Sequence, residues 1–244
     1  MGHKSKNIMK QLNKTQSILY HFYPGILITG GFIFLAPMSI RYGYPPQFGM
    51  LMAILMVAIP VLTLHLFAAK KREQLNNIFA LNGYSNRLPA GKLVLYSIGL
   101  VAAAFIIWGI TQPVDIYISK TLFKWLPKWY TVQDFAGYSA GKVKITLLLN
   151  LVLNGLLAPV AEELYFRGYL LPRMKTWSKY AFVVNAVCFS LYHLWQPYVY
   201  LTLILALMPM VYLVNKTRDL RLGLLTHSLL NIIGAILSLL MLNR

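Results

Sequence analysis

Long apolar blocks alternate along this chain with short polar segments rich in lysine and arginine. A helix that spans a bilayer needs about 20 mostly apolar residues. Blocks of that kind fall at roughly 24–40, 48–69, 93–112, 144–174, 180–194, 198–214 and 222–242. The fourth is long, and its second half carries an adjacent acidic pair. The fifth and sixth are short and separated only by Trp195-Gln196-Pro197, which predicts a tight helical hairpin. Between the third and fourth blocks, 114–130 mixes Ile116, Tyr117, Leu122, Phe123, Trp125, Leu126 and Trp129 with Lys120, Lys124 and Lys128. That mixture predicts an interfacial helix in the headgroup region; a further short span there would raise the count to eight. No internal repeat or low-complexity tract divides the chain. The expectation is one all-α domain over 1–244, a polytopic transmembrane helical bundle of about seven to eight membrane helices.

Composition agrees. Of the 244 residues 58% are hydrophobic and 12% charged, against about 25% charged in soluble domains; the mean hydropathy is +0.58. Lipid-facing positions cannot carry charge. The net charge of +17 sits in short inter-span loops. This is the distribution that sets membrane topology, not a nucleic-acid footprint. The basic loops suit anionic lipid headgroups, at about 1 kcal/mol per Lys or Arg. With the N-terminus in the cytoplasm and seven crossings, cytoplasmic segments hold sixteen Lys and Arg and the opposite side seven. The bias places the N-terminus inside. The polar start, Met1 to Gln16 with Lys4, Lys6, Lys10 and Lys14, leads into a first span and not a removed signal peptide. Richness in Lys, Asn, Ile and Tyr points to a bacterial plasma membrane. The single cysteine, Cys188, excludes an intramolecular disulfide and a Cys-based zinc site and reads as a small buried hydrophobe.

Only six residues are acidic, and two of them, Glu162 and Glu163, are adjacent within the fourth block. An ionisable residue at membrane depth costs at least ~2.5 kcal/mol and is a functional-site hypothesis by default. Neighbours on a helix point about 100° apart, so the two carboxylates face different partners. Glu163 and Arg167 stand at i and i+4, acid first, the favourable order for an ion pair. Glu162 is then left free on another face, near Asn154 and Ala158. Pro159 just before the pair predicts a kink. His193 lies in Phe189-Ser190-Leu191-Tyr192-His193, and His227 and Asn231 share one face at i and i+4. Lone polar residues of this kind usually serve as interhelical hydrogen-bonding groups. Counted from one end of their helices, however, Glu162, His193 and Asn231 reach similar depths, about 16, 20 and 14 Å. A shared site requires that; independent core residues do not. His227 and Asn231 can both present N–H donors to one oxygen, which suits an oxyanion hole.

Glu-Glu-x-x-x-Arg, Phe-x-x-x-His and His-x-x-x-Asn occur here in that order, each in an apolar block. Ala158-Pro159 precedes the first, Phe166-Arg167-Gly168 closes it and Gly223 precedes the last. This resembles the CAAX protease and bacteriocin-processing family, also called the Abi family, of membrane peptidases. The likeness covers roughly 144–235; the first 140 residues show only generic spans. It implies an intramembrane endopeptidase whose site opens to the cytoplasm. Glu162 and His193 would activate the hydrolytic water, and His227 and Asn231 would stabilise the oxyanion. Glu163 and Arg167 would support them. A carboxylate in a low-dielectric site is a stronger base than one in water. Catalysis without a metal is expected. Zinc held by Glu162, His193 and His227 is the alternative, although His-Glu-x-x-His is absent. Expected partners are lipids and a peptide or protein-tail substrate, such as a bacteriocin or pheromone precursor. A non-catalytic immunity or scaffold protein is the second reading. A proton-coupled transporter is the third, since buried Glu and His also build proton relays; the repeat that such a fold carries is missing.

Overall fold

The computed structural model describes residues 9–242, and among them all regular structure is helical. Seven helices carry the fold: α1 (Lys14–Arg41), α2 (Pro46–Arg72), α3 (Ala90–Thr121), α4 (Ala140–Arg173), α5 (Ala181–Tyr192), α6 (Tyr200–Thr217) and α7 (Leu220–Leu242). All but α5 belong to the six segments long and apolar enough to cross a membrane. Large apolar side chains such as Phe34, Leu64 and Ile110 point outward, the arrangement for a lipid solvent. The protein is a polytopic helical bundle embedded in a membrane.

Two sequence expectations change. The block at 180–194 yields α5, whose 12 residues reach only about 18 Å; the turn-rich stretch 193–199 completes that leg. The bundle is therefore six long helices and one short one. No separate interfacial helix forms at 114–130. Instead α3 runs unbroken through Pro113 to Thr121, and turns follow up to the short 3₁₀ segment Lys128–Tyr130. A drop in hydropathy ended the apolar block, but it does not end a helix. Lys4, Lys6 and Arg244, which entered the charge count, lie outside the described residues.

The long helices are not uniform. π-helical stretches occur at Ile54–Ala58, Leu153–Leu157 and Glu163–Leu170. Each ends two residues before a proline: Pro60, Pro159 and Pro172. A proline has no N–H to donate and its ring crowds the carbonyl four residues back. Widening the preceding turn to an i→i−5 register relieves that crowding. The residue between behaves accordingly, since the amides of Ile59, Ala158 and Leu171 bond to Ile54, Leu153 and Phe166. Pro24, Pro37, Pro113 and Pro209 sit inside ordinary α-helices, so proline permits the wide turn without forcing it. Two of the three π stretches bracket the acidic pair.

Helix α1 packs on α2 and α5, α3 on α6 and α7, and α7 closes against α4. A third membrane acid pins two of these helices: Thr202 on α6 donates to Asp115 on α3 at 2.6 Å and lies 2.5 Å from the Thr111 hydroxyl. At one end, Asp219 joins the α6–α7 turn to the loop before α3. It accepts from the Leu88 amide at 2.7 Å and the Arg221 amide at 3.0 Å, and pairs with the Arg221 guanidinium at 2.6 Å. Burial pushes its carboxyl up, but the hydrogen bonds from Arg221 and Leu88 outweigh it and hold the group below its usual value. A carboxylate depressed on folding stabilises above its unfolded pKa, about 3.9, and loses that contribution as pH falls through the folded value. Asp219→Asn should lower stability at pH 7 by about 1–2 kcal/mol. The gap from the unsubstituted protein should close below about pH 3, read by thermal unfolding in detergent across pH.

Candidate active site

The acidic pair is reached from the local shape of α4. Between the two π stretches lies one α turn, Ala158–Glu162; Glu162 ends it and Glu163 starts the next wide segment. The carboxylates diverge, as helix geometry requires. Glu163 is fully buried. Its Oε1 lies 3.1 Å from an Arg167 guanidinium nitrogen and accepts from His227 Nδ1 at 3.0 Å. The expected Glu163–Arg167 pair is therefore present, with a second partner from α7 that helical spacing does not reveal. Arg167 is also fully buried, and its guanidinium carbon lies 3.8 Å from the Phe189 ring centroid, a cation–π contact.

Glu162 faces the other way and is not free. Tyr192 on α5 donates its hydroxyl to Oε1 at 3.1 Å, and His227 Nε2 stands 3.8 Å from Oε2. A carboxylate only accepts, so the Nδ1 of His227 carries a proton toward Glu163. Its Nε2 then looks across at Glu162. The charge count is informative. Glu162, Glu163, Arg167 and a neutral His227 sum to minus one; one added proton, on His227 or on Glu162, makes the cluster neutral. Uncompensated charge in a buried site is costly. One proton placed between the facing carboxylate and imidazole would neutralise the cluster, and such a pair suits general acid–base chemistry.

His193 arrives differently from expectation. It lies just past the end of α5, at the centre of an inverse γ-turn with φ −76° and ψ 55° in which the Leu194 amide bonds to Tyr192 O at 2.8 Å. Its Nδ1 donates to Phe189 O at 2.9 Å. A carbonyl can only accept, so the neutral ring presents its lone pair at Nε2. Phe189 is the hub: its ring centroid is 5.0 Å from His193 and 6.1 Å from His227, with Arg167 also against it. Tyr192 links His193 to Glu162, with its ring 4.9 Å from the imidazole and its hydroxyl on the carboxylate. Gly25 on α1 keeps this corner in place, since a Cβ there would stand 2.3 Å from Tyr192 O.

Asn231 donates to the backbone carbonyl of Asn154 at 2.8 Å. That carbonyl has no helical donor, because Ala158 bonds one residue further back in the π register and Pro159 has no N–H. A carboxamide has two N–H donors, and this bond uses one. Thus α7 brings His227 to the acidic pair and Asn231 to the adjacent wide turn of α4. Among the described residues no three His, Cys, Asp or Glu side chains are gathered as a metal site, so Glu162, His193 and His227 do not form a ready zinc triad here. Sequence reasoning missed Tyr192 and the Glu163–His227 bond. The tyrosine inside Phe-x-x-Tyr-His was visible, but its direction was not.

A helical bundle whose buried carboxylates meet an arginine and one imidazole, with a second imidazole linked to them through Tyr192, defines a membrane-embedded protein with a buried ionisable cluster. Residues 144–233 match the family model described as Rce1-like, Type II CAAX prenyl endopeptidase, so that segment of the chain is similar to the CAAX protease family. The matched region runs from the start of α4 into α7 and contains Glu162, Glu163, Arg167, His193, His227 and Asn231. No curated protein and no solved structure matches the chain.

Gly223, one turn before His227, offers a direct test of the cluster. A Cβ there would stand 2.5 Å from Glu163 Oε2. Gly223→Ala should displace the carboxylate from His227 Nδ1 and lower stability by about 1–3 kcal/mol, read by thermal unfolding in detergent, while the variant still accumulates in the membrane fraction.

Proposed function

We propose that this protein is an intramembrane endopeptidase that hydrolyses a peptide bond in a membrane-associated peptide or C-terminal tail. The observation that carries the reading is the Glu162 carboxylate facing His227 Nε2 across 3.8 Å in a buried cluster. Glu162 and the Nε2 lone pair of His193 take a proton from water as its oxygen attacks the scissile carbonyl. The oxyanion is met by protonated His227 and by the second N–H of Asn231. Collapse breaks the C–N bond, and the proton taken from water passes to the leaving amine. Glu163 and Arg167 orient His227 and balance its charge. No metal enters these steps. The site faces the cytoplasm of a bacterial cell, and the substrate is a small peptide precursor, such as a bacteriocin or pheromone, with self-immunity as one outcome of its processing. The family-model match over residues 144–233, and side chains brought together from all three motif segments, support the reading.

Glu162→Gln, His193→Ala and His227→Ala should each lower cleavage at least about 10²-fold while the protein still inserts. Comparative peptidomics of cells expressing each variant would show it: one precursor should accumulate and its product should vanish. Bacteriocin protection that survives Glu162→Gln would instead assign that phenotype to binding by a non-catalytic fold. Purified active protein should contain less than stoichiometric zinc and keep its activity in a chelator. Activity lost to a chelator and restored by zinc would overturn the metal-free mechanism.

A further inference from the structure

A second feature lies on the face of α1 and α2, away from the acidic cluster. A cavity of about 380 Å³ opens laterally there, walled by Leu27, Val61, Leu64 and Ala68 and ending at Arg72. Its volume is within the usual range for a ligand pocket, about 300–1,000 Å³. Where polar groups reach it they are tied down, Tyr23 hydroxyl to His65 Nδ1 at 2.8 Å. From Val61 to Arg72 the helix rises about 16 Å, so the groove is elongated and mostly apolar. Arg72 also borders a second, polar notch with Lys10, Gln11 and Gln16. The one arginine therefore joins an apolar channel to a notch lined by Lys10, the amides of Gln11 and Gln16, two tyrosines and the Glu73 carboxylate.

The charge at that junction is unbalanced. Glu73, the adjacent acid, is held in two hydrogen bonds by Arg173, at 3.2 and 2.8 Å. The polar contact of Arg72 is a neutral one, the Tyr169 hydroxyl at 2.9 Å. Lys70 and Lys71 precede it in the last turn of α2. A zwitterionic headgroup would gain little from this set; an anionic one would meet Arg72 and Lys10 together.

We propose that this groove is a binding site for one anionic phospholipid, with an acyl chain along Leu27, Val61, Leu64 and Ala68 and its phosphate at Arg72 and Lys10. The site is independent of the peptidase reading, since none of the acidic-cluster residues lines it.

The test is native mass spectrometry of the full chain extracted from vesicles of equal phosphatidylglycerol and phosphatidylcholine. One phosphatidylglycerol should be retained in preference. Arg72→Gln should reduce that preference about fivefold, and adding Lys10→Gln should reduce it by about the same factor again, the effect of roughly one basic residue each. Arg72→Lys should keep most of it. Ala68→Trp, at an exposed position where a large side chain would fill the groove, should abolish retention while thermal unfolding stays unchanged. Equal retention of the two lipids, or a phosphatidylglycerol adduct that survives Ala68→Trp, would refute the site. Displacement of the lipid by a lipidated peptide would assign the groove to substrate instead and also overturn the proposal.

Discussion

Two adjacent carboxylates inside a membrane bundle cannot both remain charged without compensation, and the arrangement around them answers that constraint. Arg167 and His227 supply the positive side, and both bear on Glu163. Their positions in turn dictate smaller features. Phe189 gives the Arg167 guanidinium a flat partner where directed acceptors are few. Gly223 leaves room for the Glu163 carboxylate beside α7. With Glu163 compensated in this way, Glu162 is the acid without a cation bonded to it, and the imidazole opposite it is already fixed in orientation. The two glutamates differ in role because their partners come from different helices.

The backbone contributes as much as the side chains. The wide turns before Pro159 and Pro172 reset the rotation of α4 on both sides of the acidic pair, and they free carbonyls that an α-helix would hide. Asn154 O is taken by Asn231 and Phe166 O by Asn185, which also bonds His21 Nε2 at 3.0 Å. Each bond ties another helix to α4 at the level of the site. Asn231 caps with one N–H the wide turn that positions the acidic pair and has a second N–H to offer. A site built on rigid elements with supporting hydrogen bonds holds catalytic geometry better than one on a loop. His193 is the exception, placed on a turn, and the turn is braced by Tyr130, which donates to Leu194 O at 3.0 Å.

What could be read in advance follows the range of the forces involved. Apolar blocks report lipid burial directly, so most of the long helices emerged near their expected bounds, although α1 starts at Lys14, ten residues before its apolar block. The hydropathy signal could not separate the end of a block from the end of a helix, hence the extended α3 and the short α5. Motif spacing gave Glu163–Arg167, an interaction within one helix. Tyr192→Glu162 and His227→Glu163 escaped, because a contact between helices depends on how they rotate against each other. The pin at Asp115 escaped for the same reason: its threonine partner lies 87 residues away in the chain.

The sequence by itself determined a membrane-embedded helical bundle and the few polar residues that could do chemistry there, because an apolar solvent makes every exception to hydrophobicity conspicuous. Only the tertiary structure decided which of those exceptions meet. It turned Glu163 toward His227 and Glu162 toward Tyr192, and it spent one donor of Asn231 on a carbonyl that a proline had orphaned. Those choices are fixed by helix rotation and by the register of two wide turns, quantities that no periodicity along the chain encodes.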